Sequence, residues 1–240
     1  MALFLKWFPP SWIQIKSGKK TIYIDPAYLR TYYMHYPKRI EYSRWPDPID
    51  GLPETLEKAD AILFTHHHKD HCKRVTANRL RRADTLMVGP ERCSQELGKD
   101  LKVIAPGEDI TLGYLKIKAV DAYNIPNGNS TKKHHHKGSG VGYLLNLSGN
   151  TIYHAGDTDF IPEMKTLGDV QVALLPIGGT YTMDIQEAVQ AAISINPRVV
   201  IPIHHLKADP QEFKAKVEAK SDVKVLTLQI GEIYRFFNKK

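Results

Sequence analysis

The sequence predicts an α/β fold in one domain spanning 1–240, and three observations predict it. Short β-rich stretches separated by turn residues run through both halves. A few segments carry helical periodicity with recognisable start signals. With 240 residues, 42% hydrophobic and 25% charged, the chain has an ordinary globular composition and enough length for a substantial core. Disordered, collagen-like and small disulfide-stapled classes are excluded on the same arithmetic.

Taken in order, strands are expected at 3–7, 12–16, 21–24, 61–65, 85–88, 101–104 and 114–120, with SGKK and PGED as turn punctuation. The second half continues with 141–147 and 150–153 around an SGN turn, then the apolar runs 170–175 and 198–202, then 223–228 and 232–236. Four helices are expected. Asp184 with Glu187 resembles a capping box, followed by Ile185, Ala188, Val189 and Ala192 on one face. Asp209 before Pro210, with Glu212 three residues on, starts another that carries Phe213 and Val217. The others are 74–82, rich in arginine, and 91–97. No linker, low-complexity tract or short repeat divides the chain, although its halves are similar in style.

No apolar run approaches the roughly 20 residues of a membrane-spanning helix, and the opening MALFLKWFPPSW lacks a long apolar stretch followed by a cleavage site. Cys72 and Cys93 have no CxxC spacing, so neither a disulfide framework nor a thiolate zinc knuckle is indicated. The expectation is a cytoplasmic protein without a membrane partner. Lys and Arg number 33 against 26 Asp and Glu, and the resulting +7 favours anionic partners. A segment at 28–48 interleaves Tyr28, Tyr32, Tyr33, Tyr36, Tyr42 and Trp45 with Arg30, Lys38, Arg39 and Arg44. It could line a substrate cleft, stack on bases, dock a second subunit in a homo-oligomer, or simply pack.

Ten of the eleven histidines fall in four tight places: 66–71, 134–136, 154, and 204–205. The run Thr65-His66-His67-His68-Lys69-Asp70-His71 contains HxHxDH directly after an apolar strand, where a sharp loop can aim His66, His68, Asp70 and His71 into one cavity. One metal could not comfortably use all four. Two adjacent ions are therefore expected, His66 and His68 serving one, Asp70 and His71 the other. His67 alternates with the ligands and is expected to point away, while His154 reads as a structural histidine. His205 reads as a proton donor, a substrate contact or a rim side chain. Cys72 reads as a small buried residue, and Tyr181 as a weak candidate for the cleft.

These motifs resemble the metallo-β-lactamase-fold superfamily, whose first motif is HxHxDH. The nearest branch is that of small stand-alone hydrolases including ascorbate-6-phosphate lactonase-like proteins. The resemblance runs in order through Ile24-Asp25-Pro26, the histidine motif, Asp121-Ala122-Tyr123-Asn124, Lys137-Gly138-Ser139-Gly140-Val141-Gly142-Tyr143, Tyr153-His154-Ala155-Gly156-Asp157-Thr158-Asp159, Leu175-Pro176-Ile177-Gly178-Gly179 and Ile201-Pro202-Ile203-His204. It implies a four-layer αβ/βα sandwich of two packed mixed sheets with outer helices. It makes Asp157 the bridging carboxylate and His204 the last ligand of the second ion. It draws the remaining ligand from the triplet, as His135, with His134 and His136 as rivals because His136 stands where relatives have proline. It also implies that Asp25 braces a metal-binding histidine. Where relatives place glycine-histidine near the first strand, this chain has Phe8-Pro9-Pro10-Ser11.

The function so implied is a dinuclear metal-dependent hydrolase. A metal-bridged hydroxide would cleave an ester, lactone, amide or phosphodiester bond of a small-molecule substrate, with Asp70 both ligating and orienting the nucleophile. The cofactors would be two divalent ions, zinc by ligand type, with manganese, iron or nickel as alternatives. No GxSxG elbow is present to support a serine nucleophile. A nuclease is the first rival, supported by the arginines of 74–82 and by Lys132, Lys133 and Lys137. The 46 residues between Asp157 and His204 leave no space for an added nucleic-acid-gripping domain. A di-iron redox protein or a non-catalytic metal scaffold is the other rival. Redox relatives carry glutamate where this chain has His68, together with a flavin domain.

Overall fold

Two sheets built on one scheme organise the chain. The computed structural model describes residues 3–27, 56–113, 115–147 and 149–236, and the segment 28–48 lies outside them apart from its surroundings at Ala27 and Leu56. The contacts divide the chain into two compact units, Met1–Val103 with Leu228–Lys240, and Ile104–Thr227.

The first unit contains β1 (Leu3–Phe8), β2 (Trp12–Ser17), β3 (Lys20–Ile24), β4 (Ala61–Leu63), β5 (Leu86–Gly89), β6 (Leu101–Val103) and β14 (Ile233–Phe236), in the spatial order β14-β1-β2-β3-β4-β5-β6. Pairing is antiparallel from β14 to β3 and parallel from β3 to β6. Phe8, Trp12, Tyr23, Ile62, Phe64 and Met87 of this sheet region pack with α1 (Arg74–Leu80), through Ala77 and Leu80, and with Leu97 of α2 (Ser94–Leu97). Parallel strands need such crossovers, and helices supply the apolar stripe that covers the sheet.

Several elements end earlier or begin differently than the sequence predicts, each because a backbone group finds another partner. The strand at 61–65 stops at Leu63, since the Thr65 N–H turns away to Asp25 Oδ1 at 2.7 Å. The helix at 74–82 stops at Leu80, where Arg81 is extended and the Arg82 N–H donates to Thr85 Oγ1 at 2.8 Å. The helix at 91–97 begins instead as a 3-10 turn over Glu91–Cys93, with the Cys93 N–H bonded to the Pro90 carbonyl.

The second unit repeats the scheme. It holds β7 (Asp109–Leu112), β8 (Leu115–Asp121), β9 (Val141–Leu147), β10 (Asn150–His154), β11 (Val172–Pro176), β12 (Val199–Ile203) and β13 (Lys224–Val225), ordered β13-β12-β11-β10-β9-β8-β7. Again a meander of four antiparallel strands, β7 to β10, is extended by three in parallel, β11 to β13. Strand β7 lies outside the sequence expectations: Asp109-Ile110-Thr111-Leu112 alternates polar and apolar residues, but over only four positions, with Ile110 alone fully buried. The strand expected at 223–228 shrinks to Lys224–Val225.

Helix α3 (Ile185–Ile195) starts where expected, with Asp184 accepting from the Glu187 N–H at 2.8 Å. The Glu187 carboxylate is turned instead to the Asn129 N–H at 3.3 Å. Helix α4 (Pro210–Glu218) is capped by Asp209 through the Gln211 N–H and buries Phe213 and Val217. Both helices contribute to one core with Tyr153, Ala173, Leu175 and Val200. No helix among the described residues is long and apolar enough to cross a membrane. Replacing Asp184 with Ala should remove the α3 cap and cost about 1 kcal/mol of stability, read as a lower urea midpoint at unchanged slope.

Candidate metal centre

A strand that ends at the carboxyl edge of a parallel sheet delivers its following loop to that edge, the usual place for sites in α/β proteins. In the first unit, β3 delivers Asp25 and β4 delivers 65–71. In the second, β8 leads to Asn124, β10 to Asp157 and β12 to His204. Among the described residues, the histidines and aspartates grouped closely enough to hold a metal ion are His66, His68, Asp70 and His71 in the first unit and His135, Asp157 and His204 in the second.

Asp25 organises the first group. It is fully buried, sits in the left-handed region at φ 48°, and its carboxylate accepts hydrogen bonds from Thr65 N–H at 2.7 Å, Thr65 Oγ1 at 2.6 Å and His71 Nδ1 at 2.8 Å. A carboxylate takes protons only, so the Thr65 hydroxyl must donate to Asp25 and therefore accept from His66 Nδ1, 3.0 Å away. In the neutral rings the proton of both His66 and His71 is thus on Nδ1, and Nε2 presents the lone pair. The loop closes on itself, the His68 carbonyl accepting from the N–H groups of His71 and Cys72 at 3.0 and 2.8 Å. Ring centroids of His66 lie 4.7 Å from His68 and 4.1 Å from His71, and His71 Nε2 is 3.7 Å from Asp70 Oδ2. Asp70 is the more open acid, with its side chain 29% exposed against 4% for Asp157.

In the second group, Nε2 of His135 and Nε2 of His204 stand 3.5 and 3.4 Å from the same oxygen, Oδ2 of Asp157. Donors sharing a tetrahedral zinc at about 2.05 Å would be about 3.3 Å apart, close to both separations. Of the histidine triplet only His135 is buried, whereas His134 and His136 are exposed. His135 Nδ1 has two acceptors, Asn124 Oδ1 at 3.2 Å and the Tyr181 carbonyl at 3.1 Å, so its proton too sits on Nδ1. His204 is held at φ 49°, uncommon for a bulky side chain, and Gly178 stands beside it. A Cβ at Gly178 would come within 2.6 Å of the His204 carbonyl oxygen.

The remaining candidates occupy other places. His67 is half-buried. His154 is fully buried, its Nδ1 accepting from the Gly156 N–H at 3.1 Å. His205 Nε2 lies 2.8 Å from the Pro202 carbonyl, and burial lowers its pKa. Cys72 is buried in the first unit's core beside Cys93, whose thiol is pushed far upward by its contact with Cys72 and by burial. Tyr181 contributes its backbone carbonyl to His135, while its ring lies under Lys132 Nζ, 5.5 Å from the centroid. Thr65, Asn124 and Asp159 have no role in the sequence reading, and Lys133 enters it only as a cation that could meet nucleic acid. A threonine immediately before the first ligand was the one available signal for Thr65.

Residues 5–204 match the β-lactamase superfamily domain family. The chain is 34% identical over 200 residues to a UPF0173 metal-dependent hydrolase of Methanosarcina barkeri, covering 75% of this chain and 82% of that protein. The crystal structure of a Parabacteroides distasonis protein assigned as a metal-dependent hydrolase superposes with a TM-score of 0.78 at 31% identity, over 95% of this chain and 94% of that one. A metallo hydrolase from the archaeon Ignicoccus hospitalis superposes with a TM-score of 0.74 at 27% identity, over 100% of both chains.

Replacing Asp25 with Asn would set an amide N–H against at least one donor, because Thr65 N–H, Thr65 Oγ1 and His71 Nδ1 all donate to that carboxylate. We expect a loss of about 1–3 kcal/mol in urea unfolding of metal-free protein.

Proposed function

The chain belongs to the β-lactamase superfamily and has its α/β fold, and from that premise we propose that it is a dinuclear metal-dependent hydrolase of a small anionic substrate. The ligands proposed are His66, His68, Asp70, His71, His135, Asp157 and His204, holding two divalent ions. The donor set fits such ions, since it is made of imidazole nitrogens and carboxylate oxygens, and its nitrogen content favours zinc over manganese, iron or nickel. The observation that carries the reading is the convergence of His135 and His204 Nε2 on one oxygen of Asp157, at 3.5 and 3.4 Å.

Ions held there would supply Lewis acidity and lower the pKa of water toward neutrality. The protein's own part is positional. Asp25 and Thr65 fix the proton of His66 and His71 on Nδ1, so that both rings keep Nε2 for a cation. Asp70, the more solvent-open carboxylate, would accept a hydrogen bond from the attacking water and orient it toward an ester, lactone, amide or phosphodiester group. Lys132, whose ammonium lies over the Tyr181 ring, is a cation available to an anionic substrate group.

A nucleic-acid substrate has less support. Arg81 pairs with Asp100 at 2.8 Å, Arg82 with Asp60 and Asp84 at 3.0 Å each, Lys133 with Asp159 at 3.0 Å and Lys137 with Glu163 at 2.7 Å. Much of the positive charge that favoured phosphates is thereby already matched within the fold.

Purified protein should contain divalent metal by elemental analysis and cleave at least one member of a panel of ester, lactone, phosphodiester and thioester substrates. His66→Ala and Asp157→Ala should lose metal and turnover together. Undiminished turnover after complete metal removal would overturn the proposal.

A further inference from the structure

A buried imidazole can rotate, flip and exchange tautomers unless something stops it, and around His135 that something is an asparagine. Asn124 Oδ1 accepts from the His135 backbone N–H at 2.9 Å and lies 3.2 Å from its Nδ1. The amide of Asn124 is fixed in turn, its Nδ2 donating to Asp159 Oδ1 at 3.2 Å, to the Tyr181 carbonyl at 2.9 Å and to Ser130 Oγ at 3.2 Å. With a carboxylate and a carbonyl facing Nδ2, the amide has one orientation, and Oδ1 must face His135. Asn124 also donates its own N–H to the His135 carbonyl at 2.7 Å, so the two residues are tied by backbone and side chain alike.

Behind Asn124 stands a buried charge. Asp159 is fully buried, and its Oδ2 accepts from Lys133 Nζ at 3.0 Å and from the Ile125 N–H at 2.9 Å. Lys133 is itself held by the Gly128 carbonyl at 2.7 Å and Ser130 Oγ at 2.8 Å. A Cβ at Gly128 would fall 2.2 Å from Asp159 Oδ2, so the loop leaves room for this carboxylate only with glycine there. The chain Lys133, Asp159, Asn124, His135 alternates donor and acceptor at every step.

We infer that Asn124 is a positioning residue for the metal centre: braced by the Asp159–Lys133 pair, it fixes the ring orientation and Nδ1–H tautomer of His135 so that Nε2 faces Asp157. The inference rests on the proposed metal centre and assigns no contact with substrate. Groups that orient a ligating histidine are worth about 10–100-fold in metal affinity, because a ring free to turn must be ordered when the ion binds.

The test compares Asn124→Ala, Asn124→Asp and the exchanged pair Asn124→Asp/Asp159→Asn. Zinc affinity is measured by chelator competition, and the histidine tautomers of metal-free protein by nitrogen-15 NMR. In the wild type His135 should carry its proton on Nδ1. Asn124→Ala should weaken zinc binding about 10–100-fold and mix the tautomers. Asn124→Asp places two carboxylates against each other and should bind zinc weakly too. The exchanged pair restores a donor at 159 facing an acceptor at 124 but leaves a carboxylate oxygen against the Tyr181 carbonyl, so it should bind zinc more tightly than Asn124→Asp, with more of the Nδ1–H signal, without reaching wild-type affinity. Thermal unfolding of the metal-free variants separates this from a merely structural role, which would lower the midpoint without changing zinc affinity or tautomer. If Asn124→Ala does not fold, the comparison of Asn124→Asp with the exchanged pair decides. Wild-type affinity and tautomer in Asn124→Ala, or an exchanged pair no tighter than Asn124→Asp, would overturn the inference. A wild type that takes up no zinc while His135 keeps its Nδ1 proton would refute the metal centre instead.

Discussion

A neutral imidazole has a single ring proton, and whichever nitrogen holds it decides which way the lone pair faces. That constraint decides which nitrogen three buried histidines of this protein can offer. At His66, His71 and His135 the proton is assigned to Nδ1 by a fixed acceptor: the Thr65 hydroxyl, Asp25 Oδ2, and Asn124 Oδ1 with the Tyr181 carbonyl. None of these acceptors floats. Thr65 is committed by its donation to Asp25, and Asn124 by Asp159. The buried polar groups are expensive to place, and their mutual satisfaction is what makes the arrangement tolerable in a low-dielectric interior.

The sheets explain why the groups sit where they do. In each unit an antiparallel meander is extended by three parallel strands, and parallel strands all expose their carboxyl ends on the same side. Loops after β3 and β4 therefore share an edge in the first unit, as do those after β10 and β12 in the second. Of the non-glycine residues with positive φ among those described, Asp25 at 48°, His204 at 49° and Leu206 at 50° fall in these loops, while Asn196 at 50° ends helix α3. Strain of that kind persists where neighbouring contacts impose it, here the three hydrogen bonds on the Asp25 carboxylate and the close approach of Gly178 to the His204 carbonyl.

Legibility in the sequence follows the range of the interaction. His66, His68, Asp70 and His71 could be picked out because ligand types are contiguous there and follow an apolar strand. The α3 start was legible because capping is local, involving Asp184 and Glu187 alone. The choice within His134, His135 and His136 was not, since three identical rings differ only in burial, which depends on the fold. Asn124 and Asp159 were quoted within motifs yet given no role: an asparagine after a strand reads as a turn residue, and its partner is 35 positions away. Strand β7 is hard to read because its alternation covers only four residues, and the end of helix α1 because capture of the Arg82 N–H by the Thr85 hydroxyl leaves no mark on periodicity.

The proposed dinuclear centre is tested most directly by crystals of zinc-loaded protein and anomalous scattering at the zinc edge. The account predicts two peaks, with Asp157 shared between them, His66, His68 and His135 around one, and Asp70, His71 and His204 around the other. Zinc peaks found only on surface histidines such as His134 and His136, with none within coordinating distance of Asp157, would contradict it.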